Sequence, residues 1–280
     1  MTDRYSPTVR RRRLSAELAR VRKQADLKYE EIARRTKIPR STINNIEIGK
    51  KKKPTLAEVT AILDACGVED ARERDAIFDL CRQSHMRGWW TRYSDVLPGQ
   101  YVGFELEAAR LTTWEPLIVP GLLQTPEYVE VLCRAVLTKP TDIQRNIQAR
   151  TERQQLLDDP NPLELWAVFD EGALHRLRRR PDVLRSQLEH LIRRAEEPHI
   201  TIQMTQADDL NPGLSGSFVI MDFAAPIDPP IVYLETDTDG IYLEEYEEIA
   251  RYRQLSDHLR LAALRPDETL HRLREMTEIE

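Results

Sequence analysis

Two short helical patterns joined by a tight turn lie near the start of this 280-residue chain. The stretch YEEIARRT predicts a short helix, with Ile32 and Ala33 marking its apolar side. A second helix is predicted from about residue 40 to residue 48, because Ile43 and Ile46 lie at helical spacing and Gly49 can end it. Two short helices joined in this way are typical of a helix-turn-helix motif.

Further helical patterns surround this pair, so we expect the first 84 residues to be wholly helical. Apolar residues at helical spacing predict a first helix before the pair. Thr55 and Glu58 form a capping box that opens a fourth helix, and a similar pattern at Asp70 opens a fifth. The sequence therefore predicts a helix-turn-helix DNA-binding domain over residues 1–84.

The positive charge of this acidic chain is concentrated in the same region. The whole sequence has 41 Lys+Arg against 47 Asp+Glu, yet residues 1–53 have 17 against 6, a balance of +11. The remaining residues therefore carry −17, because the total is −6. This uneven distribution indicates that the first domain meets a polyanion and that the rest of the chain does not.

The second short helix carries the side chains that base recognition requires. An α-helix fits the major groove, where each base pair displays a different set of donors and acceptors. Arg40 can donate two hydrogen bonds to guanine, and Asn44 and Asn45 can each pair with adenine. Ser41 and Thr42 can reach phosphates or base edges. We predict that these five residues read the base sequence of double-stranded DNA.

Cationic side chains around this helix are predicted to bind phosphates. Lysine offers a point charge with little geometric demand, which suits the DNA backbone. The alternative is that these cations form only a solvated charged face. Because the cations, the amide side chains and the helix-turn-helix pattern occur in the same stretch, we favour DNA binding. The residues assigned to phosphate binding are Lys28, Lys37, Lys50, Lys51, Lys52, Lys53, Arg11 and Arg12.

The stretch LKYEEIARRTKIPRSTINNIEIGKKKKP, from Leu27 to Pro54, resembles the Xre family of phage-repressor-like regulators. The likeness extends over roughly residues 10–68. That family keeps small, apolar, acidic, glycine and proline residues at the positions of Ala33, Ile43, Ile46, Glu47, Gly49 and Pro54. By this resemblance, Arg40, Ser41 and Asn45 are the first candidates for the groove, with Asn44 and Thr42 at its edge.

Specific recognition also predicts a homodimer. One such module reads only a few base pairs, so useful specificity normally requires a two-fold dimer with half-sites ~34 Å apart. We expect the second domain to provide the dimer contacts.

Two positions depart from the Xre pattern. Lys28 occupies the usual Ser or Thr cap of the first short helix, which we expect to cost ~1 kcal/mol. Lys37 occupies the turn where the family usually has glycine, and a positive φ there would strain a lysine by ~1 kcal/mol. Both changes add a cation near the expected DNA face. We interpret them as DNA affinity gained at some cost in stability.

Residues 85–103 are predicted to be an aromatic linker, because glycine and proline interrupt the helical pattern there. Trp89, Trp90 and Tyr93 cluster in this segment. They are interpreted as a hydrophobic plug, with a ligand-stacking platform as the alternative.

Residues 104–280 mix helical and strand patterns and are predicted to form a regulatory and dimerisation domain. Strands are predicted at 163–170, 199–205, 215–223, 230–236 and in the segment GIYLEE. Helices are predicted at 104–112, 126–137, 142–157, 171–178, 181–195 and 244–264, with a last one after Pro266. Because strands and helices do not alternate strictly, the fold class is α+β: a helical first domain, then a mixed domain with a mostly antiparallel sheet and flanking helices.

Several stretches of this second domain carry a further resemblance. They are ELEAARLTTWEPLIVPGLLQTPEYVEVL, LWAVFDEGALHR, the residues from 212 to 217, and PIVYLETDTDGIYLEEYEEIARY. Together they resemble the C-terminal domain of a large actinobacterial regulator family, in which an Xre head precedes an antitoxin-like domain. Members are often encoded beside a small protein thought to be their partner.

The resemblance implies a regulatory role. Our first hypothesis is a DNA-binding repressor whose second domain senses a small-molecule ligand or a small partner protein. The alternative is an antitoxin-type protein that mainly binds a small partner protein, with DNA binding as autoregulation. The segment WEPLIVPGLLQTPEY either lines a pocket or partner groove or is a buried connection between helices. The candidates for contact with a ligand or partner are Trp89, Trp90, Tyr93, Trp114, Pro120 and Leu122.

Catalytic, cofactor and membrane patterns are weak or missing in the sequence. Asp170, Glu171 and His175 are the best constellation, since Glu171 and His175 would share a helix face. There is no HExxH and no phosphate-binding loop, so we expect no enzymatic activity, no cofactor and no metal. No run approaches the roughly 18 apolar residues of a membrane helix. The three cysteines are scattered in apolar patterns, which predicts reduced thiols in a cytoplasmic protein.

Overall fold

The computed structural model describes residues 7–86, 88–97, 99–136, 139–225, 228–236 and 240–279. The chain divides into two compact units, Met1–Thr91 and Arg92–Glu280. The division falls inside the segment predicted as a linker. Residues 1–6 of the predicted first domain lie outside the described residues.

The described part of the first unit is helical, as predicted. Its helices are α1 (Pro7–Gln24), α2 (Tyr29–Thr36), α3 (Arg40–Glu47), α4 (Leu56–Ala65) and α5 (Ala71–Ser84). A 3-10 helix, Trp89–Tyr93, follows them. The apolar side chains at helical spacing meet in one core of fully buried residues, among them Leu14, Leu18, Ile32, Ile43, Ile46, Ile62 and Leu63.

The predicted helix caps of the first unit are present. Thr55 Oγ1 accepts a hydrogen bond from the Glu58 amide at 3.2 Å, and Glu58 Oε2 accepts one from the Thr55 amide at 2.9 Å. Asp70 Oδ1 accepts from the Arg72 amide at 2.9 Å. These bonds satisfy amides at the first turn that have no partner inside the helix. The capping box at the start of α4 is therefore confirmed.

Within the described residues, the second unit contains one six-stranded sheet in the order β3-β2-β1-β4-β5-β6. Its strands are β1 (Ala108–Glu115), β2 (Glu164–Asp170), β3 (Ile200–Thr205), β4 (Phe218–Phe223), β5 (Ile231–Glu235) and β6 (Gly240–Leu243). β1 and β2 pair in parallel, as do β2 and β3, whereas the other three pairings are antiparallel. The α+β fold class is confirmed, with a mixed sheet.

Helices flank this sheet. They are α6 (Gly99–Glu107), α7 (Pro126–Val136), α8 (Pro140–Gln154), α9 (Gly172–His175), α10 (Pro181–Ala195), α11 (Tyr246–Ala262) and α12 (Pro266–Ile279), with a 3-10 helix at Gly121–Leu123. No helix in these described ranges is both long and apolar enough to cross a bilayer.

The prediction of a helix over 104–112 was wrong in its second half. The helix ends at Glu107, and the chain continues at Ala108 as β1. β1 lies in the middle of the sheet and pairs with β2 on one side and β4 on the other. Backbone pairing on both edges and burial of side chains on both faces override the helical preference of ELEAARL.

The two faces of the sheet have different neighbours: one packs against α11 and the other lines a cavity. Trp114, Phe218 and Val232 belong to a buried cluster with Ile249 and Leu259 of α11. Because side chains alternate along a strand, the neighbouring residues of the same strands face the opposite side of the sheet. That opposite side includes Glu115 of β1, Val219 of β4 and Tyr233 of β5, all of which line a cavity.

Candidate nucleic-acid interface

The turn between α2 and α3 depends on a left-handed residue. Lys37 has φ +62°, and its amide donates to the Ala33 carbonyl at 3.0 Å, which ends α2. α3 then begins after Pro39, whose side chain provides no cap. The positive φ expected at Lys37 from the family pattern is therefore present in the structure. A non-glycine residue in this region is strained by roughly 1 kcal/mol.

Replacing Lys37 with glycine is expected to raise the free energy of unfolding of the first unit by up to ~1 kcal/mol, because glycine adopts positive φ without strain. DNA affinity should fall in the same variant, since a cation beside α3 is removed. Urea denaturation and DNA titration measure the two effects. Lys50→Gly is the matched control, because Lys50 has no positive φ. Equal loss of stability in both variants would contradict the assignment of strain.

The start of α2 lacks half of its usual cap. The Lys28 side chain makes no capping hydrogen bond, since an ammonium group cannot accept one. Glu31 Oε2 still accepts from the Lys28 amide at 3.0 Å. One half of the capping box therefore remains, and the missing half agrees with the departure noted in the sequence.

α3 separates its apolar and polar side chains onto different faces. Ile43 and Ile46 are fully buried in the core of the first unit. Arg40 and Ser41 are exposed. The remaining predicted base-reading residues, Thr42, Asn44 and Asn45, are half-buried. The polar face of α3 thus remains open, at least in part, along its length.

Arg40 is held by a weak partner in the absence of DNA. Its Nε lies 3.0 Å from Glu30 Oε1, and both side chains are more than half exposed, at 66% and 58%. Exposed pairs of this kind contribute ~0–1 kcal/mol. Arg40 can therefore leave Glu30 for a guanine at little cost.

The C-terminal end of α3 is fixed by a buried ionic network that the sequence did not predict. Glu47 accepts from Arg22 Nε of α1 at 2.9 Å and from the Tyr29 hydroxyl of α2 at 3.0 Å. The Arg22 guanidinium also lies over the Tyr29 ring, 4.3 Å from its centroid. The hydrogen bond to Glu47 raises the pKa of Arg22, and burial together with the Glu47 charge raises the pKa of Tyr29. Glu47 therefore orients α3 against both earlier helices.

Two further contacts complete the end of α3. The Ser15 hydroxyl of α1 donates to the Ile46 carbonyl at 2.6 Å, and the same carbonyl accepts from the Gly49 amide at 3.1 Å. Gly49 has φ +70°, the conformation predicted for the residue that ends this helix. The family pattern indicated Gly49 and Glu47, but nothing in it named Ser15 or Arg22 as their neighbours.

Most of the predicted phosphate-binding cations are available on the surface. Five of the predicted lysines are exposed and have no ion-pair partner among the described residues: Lys28, Lys37, Lys50, Lys52 and Lys53. Lys51 is half-buried and lies 2.5 Å from Glu58 Oε1. Arg11 and Arg12 are half-buried on α1, and burial lowers the pKa of Arg11.

The predicted ligand or partner residues are mostly buried. Trp90 is 4% exposed, Tyr93 8% and Trp114 1%. Trp89 and Trp90 meet edge to face, with centroids 6.2 Å apart, which is not the arrangement of a flat stacking platform. Trp114 belongs to the core under α11, where its Nε1 donates to the Gly213 carbonyl at 2.9 Å.

The remaining two of these candidates, Pro120 and Leu122, lie at a cavity wall. Both line a narrow space of about 30 Å³ in the second unit. The irregular segment WEPLIVPGLLQTPEY is largely buried, apart from exposed residues such as Leu117, and contributes to this space.

The catalytic candidates are engaged in structural contacts. Glu171 accepts from Arg272 Nε at 2.8 Å and lies 3.5 Å from His175 Nε2. Asp170 accepts from the Thr205 hydroxyl at 2.9 Å. Over the described residues, no group of three or more His, Cys, Asp or Glu side chains could hold a metal ion.

Comparison with known proteins places both units. A helix-turn-helix domain model matches residues 13–77, which supports the prediction of a helix-turn-helix regulator and makes DNA the indicated partner. A model of a domain of unknown function, DUF5753, matches residues 99–275. No curated protein and no solved structure matches the chain. Since the second model covers more than half of the sequence, the chain belongs to the DUF5753 family and carries a helix-turn-helix domain ahead of that family's domain.

Proposed function

We propose that the protein is a sequence-specific transcriptional regulator of the Xre type, acting as a homodimeric repressor. The observation that carries this proposal is the surface of α3. Its apolar face is buried, its polar face with Arg40 and Asn45 is open, and unpaired lysines surround it. Forked donors for bases thus lie on one groove-sized helix, and cations for phosphates lie on the segments around it.

The two ends of α3 have separate tasks in this proposal. Arg40 at the N-terminal end leaves Glu30 and donates to guanine, while Asn45 one turn later pairs with adenine. The Glu47 network at the other end holds the helix in register against α1 and α2. The lysines that follow α3 bind phosphates and so position the first unit on the DNA.

The acidic second unit has a regulatory role in this proposal. A net negative charge keeps it away from the phosphates, so it serves for dimerisation and for sensing a small ligand or partner protein. Support for a sensing role comes from the cavity beneath the sheet, which is described below. We propose no catalytic role, because Glu171 is bound by Arg272 and Asp170 by Thr205.

Binding of the upstream region of its own gene tests this proposal through its salt dependence. Each phosphate that a cation neutralises contributes about −0.9 to the slope of log K against log[salt]. If the five exposed lysines predicted to bind phosphate each neutralise one, we expect a slope of roughly −4 to −5 for each first unit. Fluorescence anisotropy at several salt concentrations measures it.

Two variants separate backbone contacts from other effects. Removing two cations with Lys52→Ala and Lys53→Ala should make the slope less steep by about 2. Arg72→Ala, on α5, is the control and should leave the slope unchanged. A flat salt response of the unmodified protein would contradict the proposal that it binds DNA.

A further inference from the structure

The second unit contains a cavity of about 140 Å³ between the sheet and helices α6 and α8. The charged groups that line it are Glu115, Arg150, Arg153 and Glu235. Tyr101 and Tyr233 add aromatic rings whose centroids are 4.6 Å apart. Drug-sized ligands occupy roughly 300–1,000 Å³, so a space of this size suits a smaller molecule.

Arg153 already has a partner in the protein. Its Nη2 and Nε donate to the two carboxylate oxygens of Glu105 at 2.7 and 2.8 Å, and Glu105 is 0% exposed. The Tyr101 hydroxyl donates to the same carboxylate at 3.1 Å. Arg153, Glu105 and Tyr101 therefore satisfy one another by hydrogen bonds, and Arg153 needs no ligand as a counter-charge.

Arg150 lacks an equivalent partner. Its Nη1 donates to Gln124 Oε1 at 2.8 Å, but its Nε is buried and makes no hydrogen bond within the described residues. No carboxylate of the described chain pairs with it at ion-pair distance. Burial and the neighbouring Arg153 charge lower the pKa of Arg150. Guanidinium groups with a buried nitrogen normally have a carboxylate partner.

Glu115, at the end of β1, is an acidic residue that also lacks an ion-pair partner within the described chain. It is half-buried and lines the same cavity, and its carboxylate has no hydrogen bond or ion pair with any described residue. Burial and the charge of Glu235 raise the pKa of Glu115 to about 8. Arg150 and Glu115 thus face one cavity without bonding to each other.

We propose that this cavity binds a small zwitterion, a free α-amino acid, with its ammonium group on Glu115 and its carboxylate on Arg150. The apolar part of the molecule would lie against residues such as Leu97, Ile118 and Val219. This inference rests on the proposed function, since it names the chemistry of the ligand that a regulatory unit would sense.

Ligands of one charge fit the cavity less well. An amine without a carboxylate would leave the Arg150 guanidinium unpaired and would add a cation near Arg153. A carboxylate without an amine would lie near Glu235 and would leave Glu115 without an ion-pair partner. A molecule with both groups satisfies both side chains, because its carboxylate pairs with Arg150 and its ammonium group favours the charged form of Glu115.

Calorimetric titration of the full chain with each free L-amino acid tests the proposal. We expect at least one to bind, and we expect its C-terminal amide and its N-acetyl derivative to bind about tenfold more weakly or worse, since each lacks one charge–charge contact. Failure of every amino acid at millimolar concentration would overturn the proposal. Binding of the amide or of the N-acetyl derivative with equal affinity would also overturn it.

Substitutions locate the site. Glu115→Gln and Arg150→Gln should each weaken binding by about tenfold or more. Glu164→Gln is the control, because Glu164 is exposed on β2 and pairs with Arg110 outside the cavity. If Arg150→Gln does not fold, Glu115→Gln alone decides, because that exchange breaks no ion pair and adds no charge to the cavity. Unchanged affinity in a folded Glu115→Gln variant would contradict the site.

The outcome can be separated from that of the proposed function. Calorimetry is performed without DNA, and DNA binding is measured without amino acid. Amino-acid binding by a chain that does not bind DNA would support the cavity site and contradict the regulator. DNA binding by a chain that binds no amino acid would overturn the cavity site and leave the regulator supported.

Discussion

Exchanging Glu105 for glutamine is expected to lower the free energy of unfolding of the second unit by about 3–5 kcal/mol. Glu105 is fully buried and holds Arg153 by two hydrogen bonds of 2.7 and 2.8 Å. Removing its charge leaves the guanidinium buried with no full counter-charge. Tyr101 loses the charged acceptor of its hydroxyl at the same time. Hydrogen exchange of peptides from β1 and β2 reports the change for this unit alone.

A surface ion pair provides the control for this prediction. Glu164 lies 3.0 Å from Arg110, with both side chains about half exposed, at 54% and 52%. Glu164→Gln should therefore cost only ~0–1 kcal/mol. Replacing both buried partners, Glu105→Leu with Arg153→Met, should recover part of the loss, since no buried charge then remains. If Glu105→Gln is as mild as Glu164→Gln, the pair does not stabilise the unit.

The combined variant Arg40→Ala, Asn45→Ala is expected to lose most sequence discrimination by the first unit. Each bidentate base contact contributes about 1–3 kcal/mol, so the two together amount to about 2–6 kcal/mol, or about thirtyfold in affinity at the low end. Both side chains project from the polar face of α3, so folding should be unaffected. Titration of the genomic fragment recovered with the protein, against unrelated DNA of equal length, measures the ratio.

The matched control replaces lysines that are predicted to contact only the DNA backbone. Lys52→Ala with Lys53→Ala should weaken binding to both DNAs alike and leave their ratio unchanged. If the α3 variant keeps the ratio of the unmodified protein, base reading lies elsewhere and α3 has been misassigned.

Local signals made the first unit predictable. The apolar spacing at Ile43 and Ile46, the capping box at Thr55 and the glycine at position 49 each depend on residues a few positions apart. These signals give helix bounds close to those observed. The Arg22–Glu47 pair joins residues 25 positions apart, and no local pattern identifies such a partner.

Long-range pairing made the second unit harder to predict. β1 reads as a helix by propensity and becomes a strand because β2 and β4 pair with its two edges. The segment with Pro120 and Leu122 was correctly singled out as irregular and apolar. The charged groups of the nearby cavity come from β1, α8 and β5, so Glu115, Arg150 and Glu235 meet only in the fold.

Selection of bound duplexes from a random DNA pool tests the central claim, that α3 reads base sequence, most directly. The unmodified protein should enrich one motif, and Asn45→Ala should relax that motif at the positions Asn45 reads while the rest is kept. Recovery of the same motif with equal strength by the Arg40→Ala, Asn45→Ala variant would contradict the claim.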